Sequence, residues 1–298
     1  MALIYAIGGS AVYDPPTRPI KSDEAARYAA LLRTIDRGEG ALYLNRHDPN
    51  GEARLIRERY FDDGASYGVY CSFELDGCRH IQAAFDGPVQ DEAARELSAL
   101  LTAERAEAAG PAEFWYPADD RALAALARGF APGEEPLVVR ELILPPERDS
   151  PSPTALARGY EFSAYAPALA DSVCALLDAA LAHTFAPGVG AIFAPERDVH
   201  AESWLKASQR GELLLIEHDD EPVGFALLSG AEIDLIAVAK AHRRSGLGSS
   251  LLAASVNAIR AAGDEPPYLF CLESNAFALG FYEARGFRTG GRAARVRL

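Results

Sequence analysis

One run in the second half of the sequence restricts the fold more than any other feature. An apolar strand pattern at Glu232–Val238 leads into the turn Arg243-Arg244-Ser245-Gly246-Leu247-Gly248, and a helical pattern with Leu252, Val256 and Ile259 follows directly. Glycines in such a turn let the backbone approach oxyanions, and the first N–H groups of the helix point at the ligand. The run therefore predicts an α/β fold with a phosphate-binding turn, and an ordinary strand-to-helix turn is the alternative.

Two familiar glycine-rich motifs do not fit this turn. Gly246 and Gly248 are followed by Ser249, Ser250 and Leu251, so the dinucleotide motif Gly-x-Gly-x-x-Gly is incomplete. The Gly-Lys-Ser/Thr of nucleoside triphosphate loops is also missing. The sequence thus favours a pyrophosphate site of another kind.

A proline-rich segment divides the 298-residue chain. The run 144–154 carries four prolines without apolar periodicity, which predicts a linker between a domain at 1–147 and a domain at 155–298. Both halves are predicted to be mixed α/β. Upstream, the patterns predict strands at 2–7, 40–45, 53–60, 68–74, 78–85, 113–116 and 137–144 and helices at 22–37, 90–106 and 118–128. Downstream, they predict helices at 166–183, 197–209, 248–262 and 275–285 and strands at 212–217, 222–228, 232–239, 267–273 and 293–298.

Charge and composition narrow the class of function. A net charge of −14 argues against nucleic acid as the main partner, because phosphate-backbone binding depends on clustered Lys and Arg, and it favours cationic partners slightly. Neither a secretion signal nor an apolar run of membrane-spanning length is recognisable, and the four scattered cysteines fit buried thiols in a reducing compartment. A cytoplasmic protein is the expectation.

Two motifs together identify a family resemblance. Arg243-x-x-Gly246-x-Gly248 behind a strand is similar to the cofactor motif of the GNAT superfamily of N-acyltransferases. The run Asn275-Ala-Phe-Ala-Leu-Gly-Phe-Tyr282-Glu-Ala-Arg-Gly-Phe287 resembles that superfamily's Asn-x-x-Ala-x-x-x-Tyr followed by Gly-Phe. The resemblance is specific over 232–287 and is one of pattern only over 159–231.

The resemblance implies a cosubstrate and the residues that hold it. The cosubstrate is acetyl-CoA or another acyl-CoA, and no metal is implied. Two adjacent central strands of the second domain are expected to splay apart, so that the backbone of the first pairs with the pantetheine arm. The implied cofactor-binding residues are Ile236, Val238, Arg243, Arg244, Ser245, Gly246, Leu247, Gly248, Ser249, Asn275 and Tyr282.

Acyl transfer to an amine also needs acid and base groups. A primary amine is mostly protonated at neutral pH and must lose a proton before it attacks the thioester, while the departing thiolate needs a weak acid. The resemblance gives the acid role to Tyr282. Alternation along the strand predicts that Glu232, Asp234, Ile236 and Val238 share one face, which makes Glu232 or Asp234 the candidate base. Deprotonation through water is the alternative.

The acceptor side is expected to involve the first two helices of the second domain and the loop 184–193 between them. Phe185 and Phe193 are candidate pocket residues, and His183 and Trp204 are possible additions. For each of these side chains a place in the core is the competing interpretation.

The first half is predicted to be a degenerate GNAT-like copy without a CoA site. Placing Gly129-Phe130 on Gly286-Phe287 puts Ala118 where Asn275 stands and Ala125 where Tyr282 stands. The turn at 86–93 carries acids and one glycine where phosphate would bind, and acids there repel a diphosphate.

These observations predict an N-acetyltransferase that moves an acetyl or short acyl group from acyl-CoA directly to an amine of a small molecule or peptide. The acidic composition favours a cationic acceptor. A non-catalytic sensor of acyl-CoA or an amine is the alternative, and the chain is expected to be a monomer or a homodimer.

Overall fold

The computed structural model describes residues 22–48, 53–62, 64, 66–75, 77–152, 155–185 and 191–298. They form two compact units, one made of Met1–Arg140 with Gly291–Leu298 and the other of Glu141–Gly290. Each unit has a mixed sheet flanked by helices, which confirms the predicted α/β class. The predicted strand at 2–7 lies outside the described residues.

The regular elements of the described residues follow in chain order. The helices are α1 (Ser22–Leu32), α2 (Arg37–Leu44), α3 (Asp91–Glu107), α4 (Arg121–Phe130), α5 (Ala170–Phe185), α6 (Arg197–Gln209), α7 (Leu247–Ala262) and α8 (Ala276–Glu283). The strands are β1 (Arg54–Asp62), β2 (Tyr67–Leu75), β3 (Cys78–Asp86), β4 (Ala112–Pro117), β5 (Leu137–Ile143), β6 (Tyr160–Ser163), β7 (Leu213–His218), β8 (Glu221–Ser229), β9 (Glu232–Val238), β10 (Tyr268–Leu272) and β11 (Arg288–Arg297).

The sheet of the first unit has the strand order β1-β2-β3-β4-β11. Neighbouring strands are antiparallel except β3 and β4, which are parallel. The chain's last strand completes this sheet, since Ala293 pairs with Pro117 and Arg297 with Glu113. Sequence reasoning assigns that strand to the second domain, whereas the compact units place Gly291–Leu298 in the first.

A buried carboxylate ties the first unit's sheet to α3. Glu104 is fully buried and accepts hydrogen bonds from Arg57 (2.8 Å), Tyr70 (3.0 Å), Ser72 (2.5 Å) and Arg79. A buried carboxylate is tolerated only when paired and hydrogen-bonded, so this network holds α3 on β1, β2 and β3.

One predicted element differs in the structure, and one element was not predicted. The segment predicted as a strand at 40–45 lies mostly in helix α2, because its alanine and leucines are strong helix formers and its Tyr43 is buried against α1. The short strand β6, at 160–163, has no predicted counterpart. Its four residues alternate too briefly to give a periodic signal.

The sheet of the second unit has the order β5-β10-β9-β8-β7-β6. Helices α5 and α6 pack on one face of β8 and β9 through a core that includes Leu177, Trp204 and Leu235. Helix α7 packs on the other face through Leu252 and Val256. The described helices include none with the length and apolar character needed to cross a membrane.

Candidate functional site

The parallel strands β9 and β10 meet at one end only. Their register contains the single pair Glu232 and Tyr268, and the Tyr268 N–H donates to the Ala231 carbonyl at 3.1 Å. Beyond that pair the two strands separate toward their carboxyl ends, which confirms the predicted splayed strands. The β10-facing edge of β9 is therefore open to an extended ligand that pairs as an added strand.

A β-bulge lies in β9 at Asp234. Leu235 pairs with Leu227 and Ile233 pairs with Leu228, so Asp234 is an extra residue on its strand. Bulges often lie beside active sites, where they redirect side chains.

The bulge corrects the prediction that Glu232, Asp234, Ile236 and Val238 share one face. Ile233 and Ile236 both pack in the cluster of α7, whereas Leu235 packs against α5 and α6. Glu232 precedes Ile233 and therefore lies on the face of α5 and α6, opposite to Ile236. Simple alternation failed here because it does not anticipate an inserted residue.

The turn before α7 has two residues in the left-handed region. Arg244 has φ 64° and Gly246 has φ 91°. The first helical hydrogen bond runs from the Ser250 N–H to the Gly246 carbonyl at 3.1 Å, and no side chain caps the helix. The N–H groups of residues 247–249 therefore have no acceptor within the helix, which is the arrangement that binds anions.

Two side-chain bonds hold the turn in shape. The Ser245 hydroxyl donates to the His242 carbonyl at 2.5 Å, and Arg243 Nε donates to the Val238 carbonyl at 3.1 Å. Arg243 thus already uses one lone pair of a carbonyl that the resemblance assigns to the pantetheine arm. The Arg244 side chain is exposed beside the turn.

Arg285 is a residue of this region that the sequence reasoning missed. Its Nη2 donates to the Ser249 hydroxyl at 2.6 Å, its Nη1 donates to the Phe281 carbonyl at 2.8 Å, and its guanidinium lies 3.7 Å from the centre of the Phe281 ring. Phe281 lies in the last turn of α8, and Arg285, four residues later, lies in the turn that directly follows the helix. That spacing was the available signal.

Asn275 has a structural role in this geometry. It is the N-cap of α8, and its side-chain oxygen accepts a hydrogen bond from the Ala278 N–H at 3.2 Å. An N-cap of this kind stabilises a helix by about 1 kcal/mol. The structure therefore accounts for the asparagine in the motif through the helix start, and its contact with a cofactor stays a prediction.

Tyr282 is buried, with 8% of its surface exposed. Its ring packs edge-on against Phe281 and Phe287, at centroid distances of 5.2 and 5.9 Å. Burial, and to a lesser extent Cys271, raises the pKa of its phenol well above the usual value. The phenol is thus protonated at neutral pH and can act as a hydrogen-bond donor.

The side chains predicted to line the acceptor pocket do not lie together in the structure as far as it describes them. Phe193 and Trp204 are buried in the core between α5, α6 and the sheet, as the competing interpretation held. The side chains of His183 and Phe185, and residues 186–190 of the loop 184–193, lie outside the described residues. Asp178 fixes the end of that loop by accepting hydrogen bonds from the N–H groups of residues 192–194, at 2.6 to 3.1 Å.

His200 is a second residue that sequence reasoning missed. Its ring stacks on Trp204 at 5.1 Å, and burial lowers the pKa of its imidazole. Its buried Nε2 has no hydrogen-bond partner among the described residues.

Under the prediction that the first unit is a GNAT-like copy, α3 and α4 would correspond to α7 and α8, and both begin differently. Helix α3 begins with Asp91 and Glu92, two exposed acids that oppose anion binding at this helix start. Helix α4 is capped by Asp120, which accepts from the N–H groups of residues 122 and 123 at 2.9 and 3.0 Å. Asp120 and Asn275 are both helix N-caps, so we align the two helices by placing Asp120 on Asn275.

This alignment corrects the one based on the two Gly-Phe pairs. Gly129 lies inside α4, whereas Gly286 follows α8 with φ 92°, so the two glycines are not equivalent. Seven residues after its cap, α8 has Tyr282 and α4 has the buried Ala127. The first unit thus has alanine at the matching position, although not the alanine that the sequence alignment chose.

No group of three or more His, Cys, Asp or Glu side chains suited to a metal ion occurs within the described ranges.

Comparison with known proteins is consistent with this geometry. Residues 175–287 match the acetyltransferase (GNAT) family, which confirms the resemblance seen in the motifs. A GCN5-related N-acetyltransferase from Sphaerobacter thermophilus has a similar structure, with TM-score 0.62, 16% identity and 94% of each chain covered. A tandem GNAT protein from the clavulanic acid biosynthesis pathway gives TM-score 0.56 and 15% identity, over 93% of this chain and 95% of that one. These two likenesses show the fold, and no curated protein matches the chain.

Proposed function

We propose that residues 175–287, a domain of the GNAT acetyltransferase family, transfer an acetyl or short acyl group from acyl-CoA to an amine by direct attack in a ternary complex. The observation that carries the proposal is the combination of the open β9 edge with the uncapped start of α7. One is suited to an extended amide chain and the other to a diphosphate, and acyl-CoA contains both.

The chain's own groups fit the two parts of the cosubstrate. The backbone of Ile236 and Val238 lies on β9 beyond its single pair with β10 and would bind the pantetheine amides. The N–H groups from Arg244 through Ser249 would hold the pyrophosphate, with the charges of Arg243 and Arg244 beside them. Asn275 fixes the start of α8 next to this site.

Glu232 is the stronger candidate for the base. Acyl-CoA supplies the acyl group as a thioester, and the amine must lose a proton to attack it. Glu232 lies on the face of α5 and α6, the helices expected to form the acceptor side, and it is paired opposite Ser229. Asp234, at the bulge, is the alternative.

Tyr282 would assist the departing sulfur. Because burial keeps its pKa above that of a thiol, its hydroxyl would stabilise the thiolate by donating a hydrogen bond rather than by giving up its proton completely. The thiolate then takes its proton from solvent. This role requires the hydroxyl to face the splayed strands.

The assay that tests the whole proposal is thiol release from acetyl-CoA with a panel of amines. Polyamines, aminoglycosides and lysine peptides are expected to give turnover, because the net charge of −14 attracts cations. The N-acylated product is identified by mass spectrometry. Coenzyme binding without turnover for any amine class would favour the alternative function, a non-catalytic sensor.

Gly246→Asp tests the phosphate turn. A carboxylate there would lie near the pyrophosphate, and like charges about 4 Å apart repel by roughly 1–4 kcal/mol, so CoA affinity is expected to fall about ten-fold or more. Gly246→Asn is the matched control, since asparagine has the same size and tolerates a positive φ. Calorimetry showing equal losses for both variants would attribute the effect to shape rather than to charge.

Glu232→Gln tests the base. If Glu232 accepts the proton, kcat/KM at neutral pH is expected to fall by about 10²–10⁴-fold and the acidic limb of the pH profile should flatten. Asp234→Asn is the paired variant. A loss in Asp234→Asn alone would move the role to Asp234, and a profile unchanged in both would indicate deprotonation through water.

Tyr282→Phe tests the hydrogen bond to sulfur. The ring packing against Phe281 and Phe287 is retained, so coenzyme affinity should hold while kcat falls by about 10²-fold. Steady-state kinetics and calorimetry on the same sample separate the two quantities. An unchanged kcat would remove Tyr282 from the mechanism.

A further inference from the structure

A groove in the second unit extends beyond the phosphate turn. Its volume is about 690 Å³, and its walls are the segment 147–152, the first turn of α7 at Ser249, and residues 284–286 after α8. This size is in the range of small-molecule sites. The groove offers space for a ligand group beyond the diphosphate.

The wall formed by 147–152 is fixed to α7. Arg260 donates to the Arg148 carbonyl at 2.6 Å and to the Ser150 hydroxyl at 3.0 Å. Pro151 is buried. The segment predicted as a linker is therefore partly a wall of this groove.

Arg285 lies in the groove in a defined position. Its hydrogen bond to Ser249 fixes one end of the guanidinium, and the guanidinium packs against the Phe281 ring. Phe281 in turn packs close to the start of α7, since a Cβ placed on Gly248 would lie 3.4 Å from the ring. Little side-chain freedom is left for Arg285 to lose when a ligand binds.

The charge of Arg285 is not balanced by a carboxylate among the described residues. Burial lowers the pKa of this guanidinium, so its charged form is penalised, and it lies beside the positive end of α7. Glu147, Arg148 and Asp149 line the groove too, but all three are exposed and neither of the two carboxylates pairs with Arg285. Two positive groups that converge without an acid form a site for an anion.

We propose that Arg285 binds the 3′-phosphate at the nucleoside end of the coenzyme and makes this site select CoA over 3′-dephospho-CoA. The inference rests on the proposed function. The turn's own N–H groups and Arg243 and Arg244 serve the pyrophosphate, and Arg285 lies beside Ser249 at the end of that set, where the groove begins.

The test is calorimetric titration of the full chain with CoA and with 3′-dephospho-CoA. The unaltered protein should bind CoA about 10- to 100-fold more tightly, as expected for one charge-assisted pair. Arg285→Gln should reduce CoA affinity to that of 3′-dephospho-CoA and leave the latter unchanged. An equal loss for both ligands, or no loss, would overturn the assignment.

Two further variants keep the result interpretable. Arg285→Lys retains the charge without the planar fork and should keep part of the selectivity. Arg158→Gln removes the same charge at an exposed position in the turn before β6 and should change neither affinity. If the unaltered protein binds neither ligand, the proposed function itself fails, whereas equal binding of both ligands by that protein rejects only the role of Arg285.

Discussion

The divergence of β9 from β10 after one register pair is the constraint on which the site depends. A parallel pair normally continues its hydrogen bonds along both strands. Here the pairing stops at Glu232 and Tyr268, and the backbone groups beyond it face a gap. Backbone N–H and C=O groups need hydrogen-bond partners, so this edge of β9 is suited to water or to an extended ligand.

The sequence was sufficient for the strand, turn and helix at 232–262 and for the family resemblance, since these elements obey strong local rules. Gly246 adopts the left-handed conformation that the motif requires, and Asn275 begins a helix as its residue type suggests. Features that depend on the partner strand were not predictable. The bulge at Asp234 is invisible in β9 alone, because only the register with β8 reveals it.

The arrangement of charges around the start of α7 could not be predicted from the sequence either. Arg243 and Arg244 stand in the motif and were predicted from it, but Arg243 binds the Val238 backbone carbonyl at the end of β9. Arg285 comes from the turn after α8, and its position depends on how Phe281 packs on Gly248. Sequence patterns give spacing within an element, whereas this site is assembled by packing between elements.

The use of the last strand by the first unit has a consequence for biosynthesis. Residues 291–298 reach the sheet that they complete only after all of the second unit has been made. During translation β4 therefore remains an exposed edge strand while the second unit is made. An exposed edge strand can pair incorrectly with other strands. Cutting the chain after Arg140, at the boundary between the two units, would leave that edge permanently open.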